Sequence, residues 1–73
     1  MAQEMVEVPI TGKIISIDVK VGDTVQEGDI ICTLESMKME NPITSPVDGT
    51  VAEITVKEDQ VVKPGDIIAT IDY

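Results

Sequence analysis

The stretch Glu35–Pro42, ESMKMENP, places a lysine between two methionines, with a glutamate on either side of the triplet. A lysine amine that has lost its proton attacks activated acyl groups, so Lys38 is a candidate for covalent modification. Met37 and Met39 are unbranched and polarisable, which suits contact with a ligand stem or a second protein. Alone, the triplet also fits an ordinary solvated turn in which both methionines cover the core. The elements that position it must decide between these two interpretations.

Other reaction chemistry lacks the necessary side chains. The 73 residues contain no histidine and one cysteine, Cys32. A zinc site, a Cys-His pair and a Ser-His-Asp triad therefore cannot be assembled. We expect the fourteen acidic residues to serve mainly as solvated surface. The sequence predicts no catalytic residue, no metal site and no enzymatic activity of its own.

The charge balance excludes several partner classes. Five lysines against fourteen acidic residues give a net charge of −9, which repels nucleic acid phosphates and anionic lipids. No apolar run approaches the roughly 18 residues needed to cross a bilayer. The first residues, MAQEMVEVP, lack the basic start and apolar stretch of a secretory signal. With a single unpaired cysteine, these features predict a cytoplasmic protein with no nucleic acid partner and no direct membrane insertion.

Apolar residues recur at every second position, the period of half-buried strands. Turn signals containing glycine separate these runs, and no stretch keeps a helical period. The sequence therefore predicts an all-β protein. The alternating residues, predicted to face the core, are Val6, Val8 and Ile10; Ile15, Ile17, Val19 and Val21; Ile30, Cys32 and Leu34; and Ile67, Ala69 and Ile71.

An internal repeat organises the chain. A shift of 37 residues aligns residues 9–36 with residues 46–73 without a gap, and 11 of the 28 aligned residues are identical. Each copy alone would leave an apolar face bare, so we expect two four-strand copies to pack face to face about an approximate two-fold axis. The prediction is one domain over residues 1–73, a flattened β-barrel (barrel-sandwich hybrid) of two four-stranded antiparallel sheets with internal pseudo-two-fold symmetry.

The repeat also gives the lysine a location. Residues 37–45 form the only connection between the two copies, and the second copy ends where the chain ends. The two-fold therefore relates a continuous hairpin bearing Lys38 to the gap between the chain termini. A lysine on such a hairpin is expected to point into solvent.

The residues around this hairpin resemble the biotinyl domain family, in which the biotin-accepting lysine lies in a Met-Lys-Met motif. The similarity rests on Met37-Lys38-Met39 with Glu35 and Glu40 beside it, and extends over residues 8–72. It includes Ser45-Pro46-Val47-Asp48-Gly49-Thr50-Val51 downstream, and Gly22-Asp23-Thr24-Val25 and Glu27-Gly28-Asp29 upstream. The related lipoyl domains usually place Asp-Lys-Ala around their modified lysine. Ser36 departs from the pattern, since alanine is common there, but it keeps the residue small.

The resemblance implies a biotin carboxyl carrier, with biotin attached covalently to Lys38 and contacted by Met37 and Met39. It implies that Glu35, Ser36 and Glu40 contribute to recognition by a biotin protein ligase. The further partners it implies are a biotin carboxylase and a carboxyltransferase or decarboxylase subunit. A free-standing subunit and a domain cut from a longer protein both fit the sequence.

Two alternatives remain open from the sequence. One is a lipoyl carrier domain of a 2-oxo acid dehydrogenase or glycine cleavage type complex. The other is an unmodified barrel that serves as a structural or interaction module, in which Lys38 has no role.

Three other features are expected to be structural. Cys32 alternates with apolar residues and aligns with Ala69, so it is predicted to be a small core residue. Gly28-Asp29 and Gly65-Asp66 recur at the same place in both copies, as turns with a positive-φ glycine do. Pro42 would lose a ladder hydrogen bond unless its position faces a sheet edge.

Overall fold

The computed structural model describes residues 2–73, which form eight β-strands. They are β1 (Gln3–Glu7), β2 (Gly12–Ile17), β3 (Thr24–Val25), β4 (Ile30–Ser36), β5 (Met39–Thr44), β6 (Gly49–Ile54), β7 (Val61–Val62) and β8 (Ile67–Asp72). Within residues 2–73 there is no helix with the length and apolar character to cross a membrane.

The strands form two four-stranded antiparallel sheets, which confirms the predicted fold. One sheet has the order β1-β8-β6-β3 and the other the order β5-β4-β2-β7. The 37-residue shift maps β2 onto β6 and β3 onto β7 with identical bounds, and β4 onto β8 with a difference of one residue at its end. Applied to the whole molecule, the same shift exchanges the two sheets, as a pseudo-two-fold axis requires.

The repeat copies are interleaved, which differs from the predicted packing of one four-strand copy against the other. Residues 9–36 and 46–73 contain three strands each, and the fourth strands, β1 and β5, precede them. Each sheet takes two strands from each half of the chain, since β1 and β3 join β6 and β8. Neither half of the chain forms a sheet by itself, so neither can complete its hydrogen-bond ladder without strands from the other half.

The predicted alternation in β2 is wrong at one step, because the strand contains a bulge. Ile14 is fully buried, whereas Ile15 is only partly buried. Pairing with β4 shifts register between Ile14 and Ser16, and an extra residue at that point changes which side chains face inward. The equivalent shift in β6 lies between Val51 and Glu53, so both halves carry the same bulge.

A second pair of bulges lets two consecutive residues enter the core. In β4 the register shifts between Ile30 and Cys32, so that Ile31 and Cys32 are both buried and Ile30 is exposed. In β8, Ile68 and Ala69 are buried in the same way. Ile10 and Val21, also predicted to face inward, are exposed and lie in the connections between strands.

The two recurring glycine–aspartate pairs are structural turns, as predicted. Gly28 and Gly65 have φ angles of 93° and 95°, a region that a side chain disfavours. Asp29 Oδ2 accepts a hydrogen bond of 2.9 Å from the Gln26 backbone N–H, and Asp66 Oδ2 accepts the equivalent bond from Lys63.

Cys32 lies in the core, as its pattern predicted, with no exposed surface. Burial, together with the negative charge of Asp18, raises the pKa of its thiol from 9.0 to about 11. At neutral pH the thiol is therefore protonated and shielded, and it takes no part in surface chemistry.

The raised pKa predicts a specific loss of stability in alkali. Between about pH 9 and 11 the unfolded chain releases the Cys32 proton while the folded protein keeps it, so the free energy of unfolding falls as pH rises. The contribution is at most about 1.4 kcal/mol per pH unit and is fully present below pH 9. Urea unfolding of the wild type and of Cys32→Ala across this range measures it. Parallel pH profiles for the two proteins would contradict the assignment.

Candidate functional site

The tip of the β4–β5 hairpin is a two-residue loop formed by Met37 and Lys38. Ser36 and Met39 are the last paired residues before it. Met37 has a φ of 54° and Lys38 a φ of 64°, and two successive positive φ angles define the type I′ hairpin turn. This turn matches the twist of the flanking strands, so the loop projects directly from the end of the sheet.

The residue types of this turn are unusual. Type I′ loops favour Asn-Gly because each central position requires positive φ, which costs a residue with a side chain roughly 1–2 kcal/mol. Within residues 2–73 only Asp59 shares this conformation among the other non-glycine residues. The pairing of β4 with β5 up to Ser36 and Met39 holds the turn in this strained conformation. The sequence did not reveal the turn type, because neither residue carries its signature.

Lys38 and its neighbours are exposed. Met37 is 92% exposed and Met39 is 66% exposed, so the interpretation in which they cover the core is wrong. Lys38 is exposed and forms no salt bridge with any residue in the range 2–73. A free amine thus stands between two large apolar side chains on a strongly acidic protein, and such exposed apolar residues mark contact sites.

Two glutamates face each other at the base of the turn. Glu35 and Glu40 are direct cross-strand partners, and like charges in this arrangement are destabilising. At the pseudo-symmetric position the pair is Asp72 and Gln3, joined by a hydrogen bond of 2.8 Å from Gln3 Nε2 to Asp72 Oδ1. The hairpin therefore keeps a repulsive pair where the other half of the molecule has a satisfied one.

Gly12 lies beneath the hairpin and fixes its approach to β2. A Cβ added at Gly12 would stand 2.7 Å from the Glu35 carbonyl oxygen and 3.5 Å from the Ser36 Cβ. Only a residue without a side chain allows this contact. Ser36 is partly buried here, so its position requires a small side chain, and serine meets this requirement as alanine would. From the sequence Gly12 is only a turn signal, and its identity with Gly49 in the repeat is the clue to this contact.

Pro42 lies on an edge strand, where a sheet can accommodate a proline. β5 is an edge strand, and Pro42 pairs with Thr33 at a position whose N–H would point away from β4. The hairpin therefore loses no ladder hydrogen bond. Asn41 Nδ2 donates to the Met39 carbonyl oxygen at 3.2 Å and ties the first residues of β5 together.

The symmetric counterpart of the hairpin is the pair of chain ends. Ala2 and Tyr73 exchange two backbone hydrogen bonds of 2.9 Å, in the place where the other half of the molecule has the continuous turn.

The geometry fits a covalently attached acyl group. The amine is exposed, its backbone lies in a two-residue turn between paired strands, and its neighbours are apolar enough to contact an uncharged stem. No group of three or more His, Cys, Asp or Glu side chains in residues 2–73 is arranged to hold a metal ion.

Comparison with known proteins identifies the family. A family model described as "Biotin-requiring enzyme" matches residues 4–71. Among curated relatives, the propionyl-CoA carboxylase alpha chain of Ruegeria pomeroyi is 53% identical over 38 residues, which are 52% of this chain and 6% of the relative. The glutaconyl-CoA decarboxylase subunit gamma of Acidaminococcus fermentans is also 53% identical over 38 residues, 52% of this chain and 26% of the relative.

The solved structures agree. The urea carboxylase of Kluyveromyces lactis superposes with a TM-score of 0.92 and 30% sequence identity, covering 99% of this chain and 6% of that protein. The chain thus spans only a small part of the proteins it resembles. The carboxylases and decarboxylases among its relatives do not favour the lipoyl alternative. The resemblance seen in the sequence is confirmed: the chain belongs to the family of biotin-requiring enzymes, as a non-catalytic carrier domain whose cofactor is covalently attached biotin.

Proposed function

We propose that Lys38 is the biotin attachment residue and that the domain carries a carboxyl group between two active sites of a biotin-dependent carboxylase or decarboxylase. The observation that supports this most directly is the turn: an exposed lysine in a strained two-residue loop between exposed methionines. Residues 1–73 are proposed to fold as one domain with repeats 9–36 and 46–73, which a single cooperative urea transition would support.

Attachment needs little from the protein beyond presentation. The neutral Nζ of Lys38 attacks the activated carboxyl carbon of biotin, a C–N bond forms, the activating group leaves, and the amine loses a proton. The product is an uncharged amide, so the net charge changes from −9 to −10. Because Lys38 has no salt bridge in the described chain, its modification breaks no ion pair.

The carrier role follows from the tether and the rigid base. When bound, biotin accepts a carboxyl group at one active site and gives it up at another. Lys38 extends the reach of the attached group, and the strained turn directs it away from the sheet. Confinement near both sites raises the effective concentration of the carried group there.

The proposed partners follow from this role. They are a biotin protein ligase that modifies Lys38, a biotin carboxylase, and a carboxyltransferase or decarboxylase subunit. Relatives named as carboxylases and decarboxylases support the last two classes. We also propose a cytoplasmic location, because the single cysteine is unpaired; cell fractionation with an antibody to the protein would test it.

Lys38→Arg is expected to abolish biotinylation, because the guanidinium stays protonated and cannot attack an acyl group. Lys20→Arg, at an exposed lysine in the first repeat, is the matched control and should be labelled like the wild type. Intact-mass analysis and an avidin blot, after incubation with a biotin protein ligase and ATP, measure both. Labelling of the Lys38→Arg variant, or an unlabelled wild type beside a labelled control carrier, would refute the site. In the structural-module alternative the Lys38→Arg variant would retain full function in the parent complex.

The flanking methionines are expected to set the choice of cofactor. Met37→Asp with Met39→Ala creates the lipoyl-type flanks and removes both apolar contacts. We expect biotinylation to fall by at least about tenfold and lipoylation by a lipoyl ligase to appear, with the fold unchanged because both side chains are exposed. Mass spectrometry after incubation with each ligase separates the outcomes. Unchanged biotinylation would show that the methionines do not discriminate.

Glu35 and Glu40, with Ser36 beside them, are proposed to be ligase recognition residues. Glu40→Gln removes the cross-strand repulsion, so the free energy of unfolding should rise by about 0.2–1 kcal/mol. The kcat/KM of biotinylation should fall by several fold, with a weaker dependence on ionic strength, because one charge that attracts the ligase is lost. Thr44→Ser, an exposed change on the same strand, is the control. A more stable variant that is biotinylated as fast as the wild type would assign the pair no recognition role.

A further inference from the structure

The two long edge strands of the sandwich, β1 and β5, differ at a central position that the 37-residue shift makes equivalent. They are pseudo-symmetric partners, and each lies at the margin of its own sheet. The 37-residue shift aligns Met5 of β1 with Pro42 of β5. One edge therefore carries a proline at its centre and the other does not.

Backbone hydrogen bonds show which groups of β1 are free. Ala2 exchanges hydrogen bonds with Tyr73, and Val8 bonds to Asp66, so the even-numbered residues turn their N–H and C=O groups toward β8. In an antiparallel ladder the alternate residues point the other way. Gln3, Met5 and Glu7 thus present their backbone groups at the open edge, and within residues 2–73 no strand pairs with that side.

The open edge borders a groove with both polar and apolar lining residues. A cavity of about 400 Å³ lies between β1 and β5, with Met5, Pro9, Pro42 and Pro46 among its lining residues. The Met5 side chain is 57% exposed. Pro42 removes the central N–H that β5 would otherwise offer, so of the two edges only β1 presents an unbroken row of free N–H groups to a strand that enters the groove.

Charge decides what kind of strand fits. Glu4 and Glu7 also line the groove, on either side of Met5 along the chain, and no cation pairs with either of them in the described residues. A second copy of this chain would bring four glutamates together on a protein whose net charge is already −9. Acidic residues on an edge thus repel self-association while attracting a basic segment.

We propose that the β1 edge is a docking site for an extended basic segment of a partner protein, which adds as a strand to β1. Its backbone pairs with Gln3, Met5 and Glu7, one apolar side chain contacts Met5 and the prolines, and an adjacent lysine or arginine meets Glu4, which lies on the other face of β1. Glu7 adds to the attraction between the acidic edge and the basic segment. The site does not include Met37, Lys38 or Met39 and does not depend on biotinylation.

The test uses the peptide acetyl-Lys-Val-Lys-Val-Lys-amide as the probe and the full 73-residue chain as the protein. We expect a saturable perturbation of the backbone amide NMR signals of Gln3, Met5 and Glu7, weakened by added salt. The same peptide with N-methylated valines, which cannot complete the backbone pairing, should bind at least about tenfold more weakly. A peptide with glutamate in place of each lysine should also bind at least about tenfold more weakly.

The variant Met5→Pro copies the proline that β5 already carries, so the fold should tolerate it. Its peptide affinity should fall by at least about tenfold, while its biotinylation by a ligase and its unfolding midpoint stay as in the wild type. Pro42→Met, which restores the missing N–H on β5, is the matched control and should bind the peptide at least as well as the wild type.

Three results would overturn the proposal. One is a perturbation that does not saturate or is spread over the acidic surface; the second is binding that Met5→Pro leaves unchanged. The third is concentration-dependent dimerisation through β1, seen by sedimentation and abolished by Met5→Pro, which would assign the edge to a second copy. Failure of biotinylation at Lys38 would contradict the carrier function and leave this proposal intact.

Discussion

The interleaving of the two chain halves is the constraint on which the rest of the structure depends. Each sheet draws two strands from each half, so the ladder of one half is completed only by the other. A chain this short buries a modest share of its surface, roughly 60% of what the unfolded chain exposes. Interleaving makes that small core common to both halves. It also leaves one covalent crossing between them, the hairpin that carries Lys38.

Strain and repulsion are concentrated at this crossing. The turn uses two residues with side chains where glycine and asparagine are favoured, and two glutamates face each other at its base. At the symmetric position the chain ends pair smoothly and the corresponding side chains are hydrogen bonded. Because one sequence repeat supplies both ends, the strain and the repulsion at the hairpin do not follow from the repeated pattern itself. The rigid sheet beneath, with Gly12 allowing close contact, supports the unfavourable turn.

The symmetry is broken a second time at the sheet margins. Pro42 removes a backbone N–H from the edge of β5, whereas Met5 keeps the equivalent N–H on the edge of β1. A small sandwich has few ways to protect its edges, and proline and charged residues are two of them. Here one margin carries the proline and the other carries glutamates. The edge strands β1 and β5 therefore differ in their ability to pair with a further strand, although they occupy equivalent positions in the repeat.

Much of this was readable from the sequence. The period of two, the glycine turns and the ungapped repeat determined the all-β class, the two-fold and the place of Lys38, because these depend on local side-chain patterns and on repetition. The burial of Cys32 followed from its alignment with Ala69. The sequence did not show which residue of each strand faces the core. Ile14 and Ile31 took the core positions expected for Ile15 and Ile30, because bulges arise from the pairing of strands distant in sequence. Only the tertiary structure decided the interleaving of the halves, the positive φ angles at Met37 and Lys38, and the free edge of β1. Each of these is set by register between strands, which no local pattern records.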